Sequence, residues 1–336
     1  MGRIDIAAKA LVSHPEVFAD IFNRRLHGGE PVIRPEDLRP LDSHLVFTGG
    51  AKNLGVTRIR DLARLLVART DGRKVMAILG VENQSISSRR MVVRVMLYDA
   101  MQYDAQFRSR QPAEEGSAEG HRVKGAAIVN GAGEMNRIVP VLTEVVFYGS
   151  GAWEGPLTLR ELMPDAPPEL LKFVPDIRLH LTQPAQLTDA EVSQYRSDFG
   201  AVMGCLRASG DKESLTRLVH EDSRFRHLHP DAARVIEECT SLRLKLSAED
   251  AGKGTVDMCK AIDDLVAEST EKGMLIGREA GRQEGMKAGR EEGRASERLE
   301  SCRRFLDQTT LGLEQIAACL NLPLETVRRL ADEMGR

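Results

Sequence analysis

The chain has 336 residues, of which 42% are hydrophobic and 29% are charged, and its formal net charge is −3. This length suffices for two domains with their own cores, and the composition is typical of a folded, water-soluble protein. The small net charge excludes a strong overall attraction to nucleic acid or to anionic membranes, so any DNA binding must come from local patches. The N-terminus lacks an apolar leader, and no run of about twenty apolar residues occurs, which predicts a cytoplasmic protein without membrane contact.

The chain is predicted to alternate helices with strands up to residue 187 and to be helical beyond it. Apolar residues recur at helical spacing over residues 9–26, and Gly28–Gly29 ends this helix. A Ser13–Glu16 capping box leaves open a helix start at Ser13. The predicted strands lie at residues 43–48, 56–70, 74–84 and 138–148. The later helices are predicted at residues 90–107, 188–208, 211–220, 230–245 and 255–270, with a loop at 108–124.

One strand ends in an unusual polar pattern. Residues 75–81 are a run of seven apolar or small residues that leads directly into Glu82 and Gln84. Side chains two positions apart on a strand lie on the same face, so these two are expected side by side at the strand's end. A turn at Asp71–Gly72 favours a hairpin that pairs this strand with residues 56–70, although periodicity alone leaves a helix open for 56–70.

That hairpin would bring Asp61 to the same end of the sheet. Two carboxylates beside a polar group form the kind of oxygen-rich site that Mg²⁺ prefers, and metal-assisted phosphodiester hydrolysis uses such a site. The alternative is that Glu82 is polar only because the strand reaches solvent there. Asp20, near the edge of the apolar face of the first helix, is interpreted as a solvated residue, with an acid that lies near the metal without binding it as the alternative.

Cysteine and histidine predict no further site. The five cysteines are scattered and no CxxC or Cys/His cluster occurs, so neither a zinc site nor a disulfide framework is indicated. His227 and His229 are predicted to be surface residues in a loop before Pro230.

Glycines recur every four residues near the C-terminus. Because four is close to the 3.6-residue period of a helix, they would form a slowly drifting stripe on one face. Each glycine costs roughly 0.8–1.0 kcal/mol relative to alanine in a helix, so an isolated helix is not expected to be stable. Two alternatives are left open, a self-associating helix and a flexible charged tether. The glycines are Gly273, Gly277, Gly281, Gly285, Gly289 and Gly293.

Residues 299–336 are predicted to form a small helical unit. Two apolar-periodic segments flank a turn at Asn321–Leu322–Pro323, which resembles a helix-turn-helix. Arg328 and Arg329 are the basic residues of the second helix. The alternative is a helical hairpin that packs on a partner. A third hypothesis is that this C-terminal unit carries the main function and that the protein is a transcriptional regulator.

The chain resembles the Rpn family of recombination-promoting nucleases and transposases, within the PD-(D/E)XK nuclease superfamily. The most specific resemblance is Gly80-Val81-Glu82-Asn83-Gln84-Ser85, and the glycine repeat followed by a helix-turn-helix-like end is also similar to family members. The other matching stretches are residues 13–23, 58–61, 94–100, 139–142, 147–149 and 153–156.

The resemblance implies an α/β fold with a restriction-endonuclease-like mixed sheet flanked by helices, followed by an all-helical C-terminal region. It further implies a DNA endonuclease that uses Mg²⁺, with Mn²⁺ as a substitute. Asp61 and Glu82 match the acidic residues of the nuclease motif and would bind the metal together with the Asn83 backbone carbonyl. Arg94 and Tyr98 match a helix that flanks the site and contacts it or the DNA backbone.

Gln84 stands where the superfamily usually has lysine. Glutamine offers a dipole that can orient water but no charge that can neutralise the transition state, so a slow nuclease is expected. The alternative function is a weak or inactive nuclease-derived protein that binds DNA or a partner.

Self-association is expected through the glycine repeat or the helical hairpin. The predicted parts are a nuclease-like core at 1–187, a helical region at 188–270, the glycine repeat at 271–296 and the C-terminal unit at 297–336.

Overall fold

The computed structural model describes residues 2–41, 44–49, 54–70, 73–108, 138–240 and 254–336. The chain forms two compact units, Met1–Asp263 and Asp264–Arg336. The finer division into four parts stays a prediction. Among the described residues, no helix combines the length and the apolar character that a membrane span requires.

The first unit is built on a mixed five-stranded sheet. Its strand order is β1-β4-β5-β6-β7, and β2 pairs with β3 in a separate two-stranded sheet. Strand β4 is antiparallel to β1 and β5, whereas β5, β6 and β7 run parallel to one another. The strands are β1 (Leu38–Pro40), β2 (His44–Gly49), β3 (Leu54–Ile59), β4 (Leu62–Thr70), β5 (Arg73–Gln84), β6 (Val141–Phe147) and β7 (His180–Thr182).

Helices cover both faces of this sheet. Strand residues alternate between the faces, so Val146 joins the core under α1, α2, α6 and α8, whereas Val145 and Phe147 join the core under α3. Parallel strands need a crossover, and α3 lies between β5 and β6 along the chain. The helices of this layer structure are α1 (Arg3–Ser13), α2 (Pro15–His27), α3 (Met91–Arg108), α4 (Pro168–Leu171), α5 (Asp189–Ser193), α6 (Asp198–Ala208), α7 (Lys212–Glu221) and α8 (Pro230–Thr240).

Two predicted elements are each divided in the structure. The helix expected at 9–26 is two helices that meet at His14, because Pro15 cannot donate a backbone hydrogen bond and favours the first turn of a new helix. The Ser13 hydroxyl bonds the Ala10 carbonyl, so the expected Ser13 cap is wrong, whereas Gly28 ends α2 with φ 61° as expected. The strand expected at 56–70 is interrupted at residues 60–61, and only β4 pairs with β5. The turn at 71–72 lies outside the described residues.

The helix expected at 188–208 is also two helices, and the break between them explains why Asp20 is buried. The Thr188–Glu191 capping box opens α5, and Ser197 opens α6. Asp20 of α2 accepts bonds from the Arg196 and Ser197 backbone amides at 2.8–3.0 Å and from the Ser197 hydroxyl at 2.6 Å. Asp20 is 5% exposed, so the interpretation as a solvated residue is wrong. Its carboxylate fastens α2 to the start of α6.

The glycine repeat lies within a single helix of 51 residues, α9 (Met258–Gln308), which begins in the first unit and continues into the second. The repeat is therefore helical and does not form the flexible tether that was one of the two alternatives. Side-chain pairs one turn apart, such as Arg282 with Glu279 at 2.7 Å, support it. Among the described residues, nothing lies within 4 Å of a Cβ atom built on any of the six glycines. Self-association through this open stripe stays a prediction.

The second unit ends in a helical hairpin. Helices α10 (Leu313–Leu320) and α11 (Leu324–Glu333) flank the predicted turn at 321–323, and Asn321 ends α10 in the left-handed region with φ 50°. Cys302 and Leu306 of α9 share a small buried core with Ile316 of α10 and with Val327, Leu330 and Ala331 of α11. A role of this hairpin in DNA binding stays a prediction.

Candidate active site

Asp61 and Glu82 are held together by reciprocal backbone bonds. The Asp61 amide donates to Glu82 Oε1 at 3.3 Å, and the amide of Asn83 donates to Asp61 Oδ2 at 2.8 Å. Asp61 immediately precedes β4, and Glu82 lies near the end of β5, where Leu62 is paired with Val81. The antiparallel register therefore sets the two acids beside one another at one end of the hairpin.

Glu82 is a buried acid with a strongly shifted pKa. Its side chain is 1% exposed, and burial, together with the charge of Asp61, raises its pKa to about 7. The Arg94 guanidinium of α3 opposes this shift by donating to Glu82 Oε2 at 2.8 Å. Arg60 adds a second positive charge, with its Nε atom 4.0 Å from Glu82 Oε1. Burial and the charge of Asp61 therefore disfavour the ionised form of Glu82, whereas the two arginines favour it.

Asp61 shares this environment at the edge of the site. Burial raises its pKa, and the bond from the Asn83 amide and the positive charges of Arg94 and Lys9 act in the opposite direction. Lys9 belongs to α1, so this helix also contributes charge to the acid pair. Asp5 of the same helix raises the pKa of Asp61 and accepts a bond from the Ser85 hydroxyl at 2.9 Å.

The residues after Glu82 are ordered by bonds to their neighbours. Asn83 projects to the opposite face of β5, where its Oδ1 atom accepts a bond from the buried Tyr148 hydroxyl at 3.2 Å. The side-chain amide of Gln84 donates to the Asn83 backbone carbonyl at 2.7 Å. The backbone carbonyl of Gln84 accepts a bond from the Tyr148 backbone amide. The Gln84 side-chain amide, predicted to orient water, is therefore hydrogen-bonded to the Asn83 carbonyl, predicted to bind the metal.

A second buried network lies directly beneath the acid pair. Arg60 is fully buried and donates to Asp99 Oδ1 at 2.6 Å and to the Thr143 hydroxyl at 2.7 Å. Its guanidinium carbon lies 5.4 Å from the centre of the Tyr98 ring, and burial raises the pKa of Tyr98. A Cβ atom on Gly80 would lie 2.6 Å from Arg60 Nη1, so the absence of a side chain at position 80 makes room for this arginine.

The structure brings together most of the residues that the sequence singled out. Asp61 and Arg94 each contact Glu82, and Tyr98 lies next to Arg60, which is also close to Glu82. The bonds of Asp20 go to residues 196 and 197 instead. Sequence reasoning missed the further members of the site, which are Lys9, Arg60, Asp99 and Thr143.

Those omissions have a physical origin. Thr143 and Lys9 reach the site only because β6 lies beside β5 and α1 packs on the sheet. Arg60 directly precedes Asp61 in the sequence, and this was the one local signal that could have indicated its place in the site. Comparison of the chain with protein-family models, with curated proteins and with solved structures gave no match, so the family resemblance stays a prediction.

Proposed function

We propose that this protein is a metal-dependent DNA endonuclease that hydrolyses phosphodiester bonds, as the resemblance to recombination-promoting nucleases and transposases implies. The observation that carries the proposal is the interlocked acid pair Asp61–Glu82 at the end of a β-hairpin. It supports the proposal because the two carboxylates lie side by side, and burial, followed by the like charge of Asp61, raises the pKa of Glu82 to about 7.

The strand topology supports a restriction-endonuclease-like core. An N-terminal helix precedes an antiparallel arrangement of β4 and β5, and α3 then leads into the parallel strand β6. The acids stand on β5 and immediately before β4, on the two strands of the hairpin. A fold alone does not determine activity, so the acid pair and not the sheet is the basis of the proposal.

The donor atoms of the site suit a hard divalent cation. Asp61 and Glu82 would hold Mg²⁺ or Mn²⁺, with the Asn83 carbonyl as a third oxygen, because carboxylate and carbonyl oxygens are its usual protein ligands. The raised pKa values of the two acids fit this assignment, since a cation between them would offset their repulsion. When bound, the ion supplies a Lewis acid and an acidified water molecule.

The protein's own groups would position water and phosphate. Release of the Gln84 amide from the Asn83 carbonyl would allow it to orient the attacking water and would free that carbonyl. Lys9 would provide the positive charge that Gln84 lacks, because its charge already acts on Asp61. Arg94 would turn from Glu82 to a phosphate oxygen when DNA binds.

The first turns of α3 offer a DNA contact surface. Arg89 and Arg90 are exposed in the turn directly before α3, where the Arg90 carbonyl accepts the Arg94 backbone amide at 2.9 Å. These two arginines and Arg94, which contacts Glu82, form a local basic patch at the start of α3 despite the net charge of −3. Such a patch would bind the phosphate backbone without reading its sequence.

The decisive experiment is nicking of supercoiled plasmid by the full chain in Mg²⁺ and in Mn²⁺. Asp61→Asn and Glu82→Gln are expected to lower the nicking rate at least about 100-fold. Glu144→Gln is the matched control, because Glu144 is also a buried acid paired with an arginine, Arg25, at 2.6 Å. Equal nicking by the acid variants and the wild type, once their thermal midpoints have been compared, would rule out the proposal.

A second function is favoured by one observation. Arg94 already neutralises Glu82 in the same way that a cation would, and Gln84 carries no charge. We therefore propose, as the alternative, a nuclease-derived protein that binds DNA or a partner without cleaving it. DNA retention in a gel-shift assay, combined with metal-independent thermal stability and no nicking, would favour this alternative.

A further inference from the structure

A cluster of two histidines and one aspartate lies outside the acid pair. His14 occupies the corner between α1 and α2, and His229 and Asp231 lie at the start of α8. One ligand atom from each of the three residues lies within 4.8 Å of the other two. The His229 side chain is 43% exposed and His227 is exposed, so both lie at the surface as predicted.

The three side chains make close polar contacts. His14 Nε2 lies 2.8 Å from Asp231 Oδ2, and His229 Nδ1 lies 3.7 Å from the same oxygen. The two imidazole rings meet edge to face, with their centres 4.4 Å apart. His229 Nδ1 accepts the Asp231 backbone amide at 3.2 Å, so a second imidazole nitrogen lies next to the carboxylate that contacts His14.

The elements that carry these residues hold them firmly. Helix α1 packs on α8, and Leu11, Val12, Ala232 and Ala233 on either side of the cluster are all fully buried. The His229 amide donates to Asp198 Oδ2 at 2.7 Å, which fixes the backbone of the loop before α8. The packed core therefore fixes the backbone positions of the segments that carry the three donors.

The donor types select a class of ion. Two imidazole nitrogens and one carboxylate oxygen suit a borderline transition metal such as Zn²⁺ better than Mg²⁺, which prefers oxygen ligands. In a tetrahedral zinc site the ligand atoms lie about 3.3 Å apart, because each bond is about 2.0–2.1 Å long. The observed separations of 2.8 and 3.7 Å lie on either side of that value.

Groups next to the three residues could orient the ligands and admit a fourth one. His14 Nδ1 lies 3.9 Å from Glu16 Oε1, so a carboxylate is near the ring nitrogen that does not face Asp231. Such a carboxylate orients a zinc-binding histidine. A cleft of about 400 Å³ adjoins the cluster and is lined by His14, Glu16, Asp198 and His229. A fourth ligand, water or a small molecule, would enter from this cleft.

We propose that His14, His229 and Asp231 form a binding site for Zn²⁺ or a closely similar transition-metal ion. The ion would replace the hydrogen bond between His14 and Asp231 and the bond from the Asp231 amide to His229 Nδ1. It would join the α1–α2 corner to the start of α8, across 217 residues of sequence. This site is separate in composition and in residues from the proposed magnesium site.

The proposal is tested by metal binding to the full chain after chelator treatment. We expect the wild type to bind about one equivalent of Zn²⁺ with Kd below about 10 μM, to gain thermal stability, and to give the absorption bands of tetrahedral Co²⁺ with cobalt. His14→Gln and Asp231→Asn are expected to weaken Zn²⁺ binding at least about 100-fold and to abolish those bands.

Two variants serve as controls. His220→Gln removes the histidine of an exposed His220–Asp263 pair at 3.3 Å, and Glu82→Gln alters the acid pair; both are expected to leave Zn²⁺ affinity unchanged. If His14→Gln fails to fold by circular dichroism, His229→Gln decides, because its ring is more exposed. Failure of the wild type to bind Zn²⁺, or wild-type affinity in a folded cluster variant, would overturn the proposal. Nuclease activity does not enter this test, so the two proposals fail independently.

Discussion

Asp61 donates its backbone amide to the Glu82 carboxylate at 3.3 Å, and its own carboxylate accepts the amide of the residue after Glu82 at 2.8 Å. Each acid thus fixes the backbone that carries the other. This relationship explains how two like charges remain adjacent in a largely buried site, because backbone donors and two arginines compensate part of their repulsion.

The raised pKa of Glu82 makes stability depend on pH. Since the pKa rises from an ordinary 4.5 to about 7, the folded state binds more protons than the unfolded state between these values. The stability of the first unit should therefore be greatest below about pH 4.5 with respect to this group and fall as the pH rises to 7. At about 1.4 kcal/mol per pKa unit, the loss is about 3 kcal/mol.

This loss is measurable by urea unfolding at several pH values. Glu82→Gln cannot ionise, so its free energy of unfolding relative to the wild type should increase between pH 5 and pH 8. Glu154→Gln, at an exposed position, gives the background. A difference between Glu82→Gln and the wild type that stays constant across this range would show that Glu82 does not titrate there.

Arg94 is expected to compete with a divalent cation for Glu82. Its side chain donates to Glu82 Oε2 at 2.8 Å and is 39% exposed, so it can leave without opening the core. Arg94→Met should tighten Mg²⁺ binding about tenfold, which corresponds to about 1.4 kcal/mol, and should increase the rise in thermal midpoint that Mg²⁺ produces.

The matched variant is Arg90→Met, at an exposed arginine directly before α3, which should behave as the wild type in Mg²⁺ binding. Both variants should weaken DNA binding, because each removes a charge from the basic patch. Mg²⁺ affinity that is equal in Arg94→Met and the wild type would argue against competition at Glu82.

Lys9 is expected to supply charge to the acid pair. Its positive charge lowers the pKa of Asp61, so Lys9→Met should raise that pKa and move the ascending limb of the nicking pH profile to higher pH. The nicking rate at neutral pH should fall about tenfold or more. Lys9→Arg should retain most of the rate, because the charge is kept.

Lys172→Met provides the control for the Lys9 variants, since this lysine is exposed in another part of the first unit. An unchanged pH profile in Lys9→Met would mean that the lysine acts on Asp61 too weakly to matter for the reaction.

Two glycine substitutions should have opposite effects. In Gly80→Ala the new methyl group would lie 2.6 Å from Arg60 Nη1, so the first unit should lose about 1–3 kcal/mol of stability. In Gly285→Ala the methyl group would extend into open space on α9, and the helix should gain about 0.8–1.0 kcal/mol.

Urea unfolding of the first unit and the helical circular-dichroism signal report these two effects separately. Destabilisation by Gly285→Ala would indicate that the glycine stripe is covered in solution, as self-association requires, and analytical ultracentrifugation would then identify the oligomer.

The sequence by itself determined the local elements of this protein. The apolar run before Glu82 defined β5, the period-3.6 pattern defined α3 and the hairpin of α10 and α11, and Gly28 defined the end of α2. These follow from neighbours within one strand or one helical turn, so a short window of sequence contains the cause. The contact of Asp61 with Glu82 followed from one further assumption, the pairing of two adjacent strands.

Only the tertiary structure decided which distant residues share a site. Arg60 meets Thr143, Lys9 acts on Asp61, and His14 meets Asp231 because sheet order and helix packing bring separate segments together. Asp20 fastens two helices for the same reason. Burial also belongs to this level: the pKa of Glu82 is raised because the packed layers remove water from its carboxylate, and no window of sequence contains those layers.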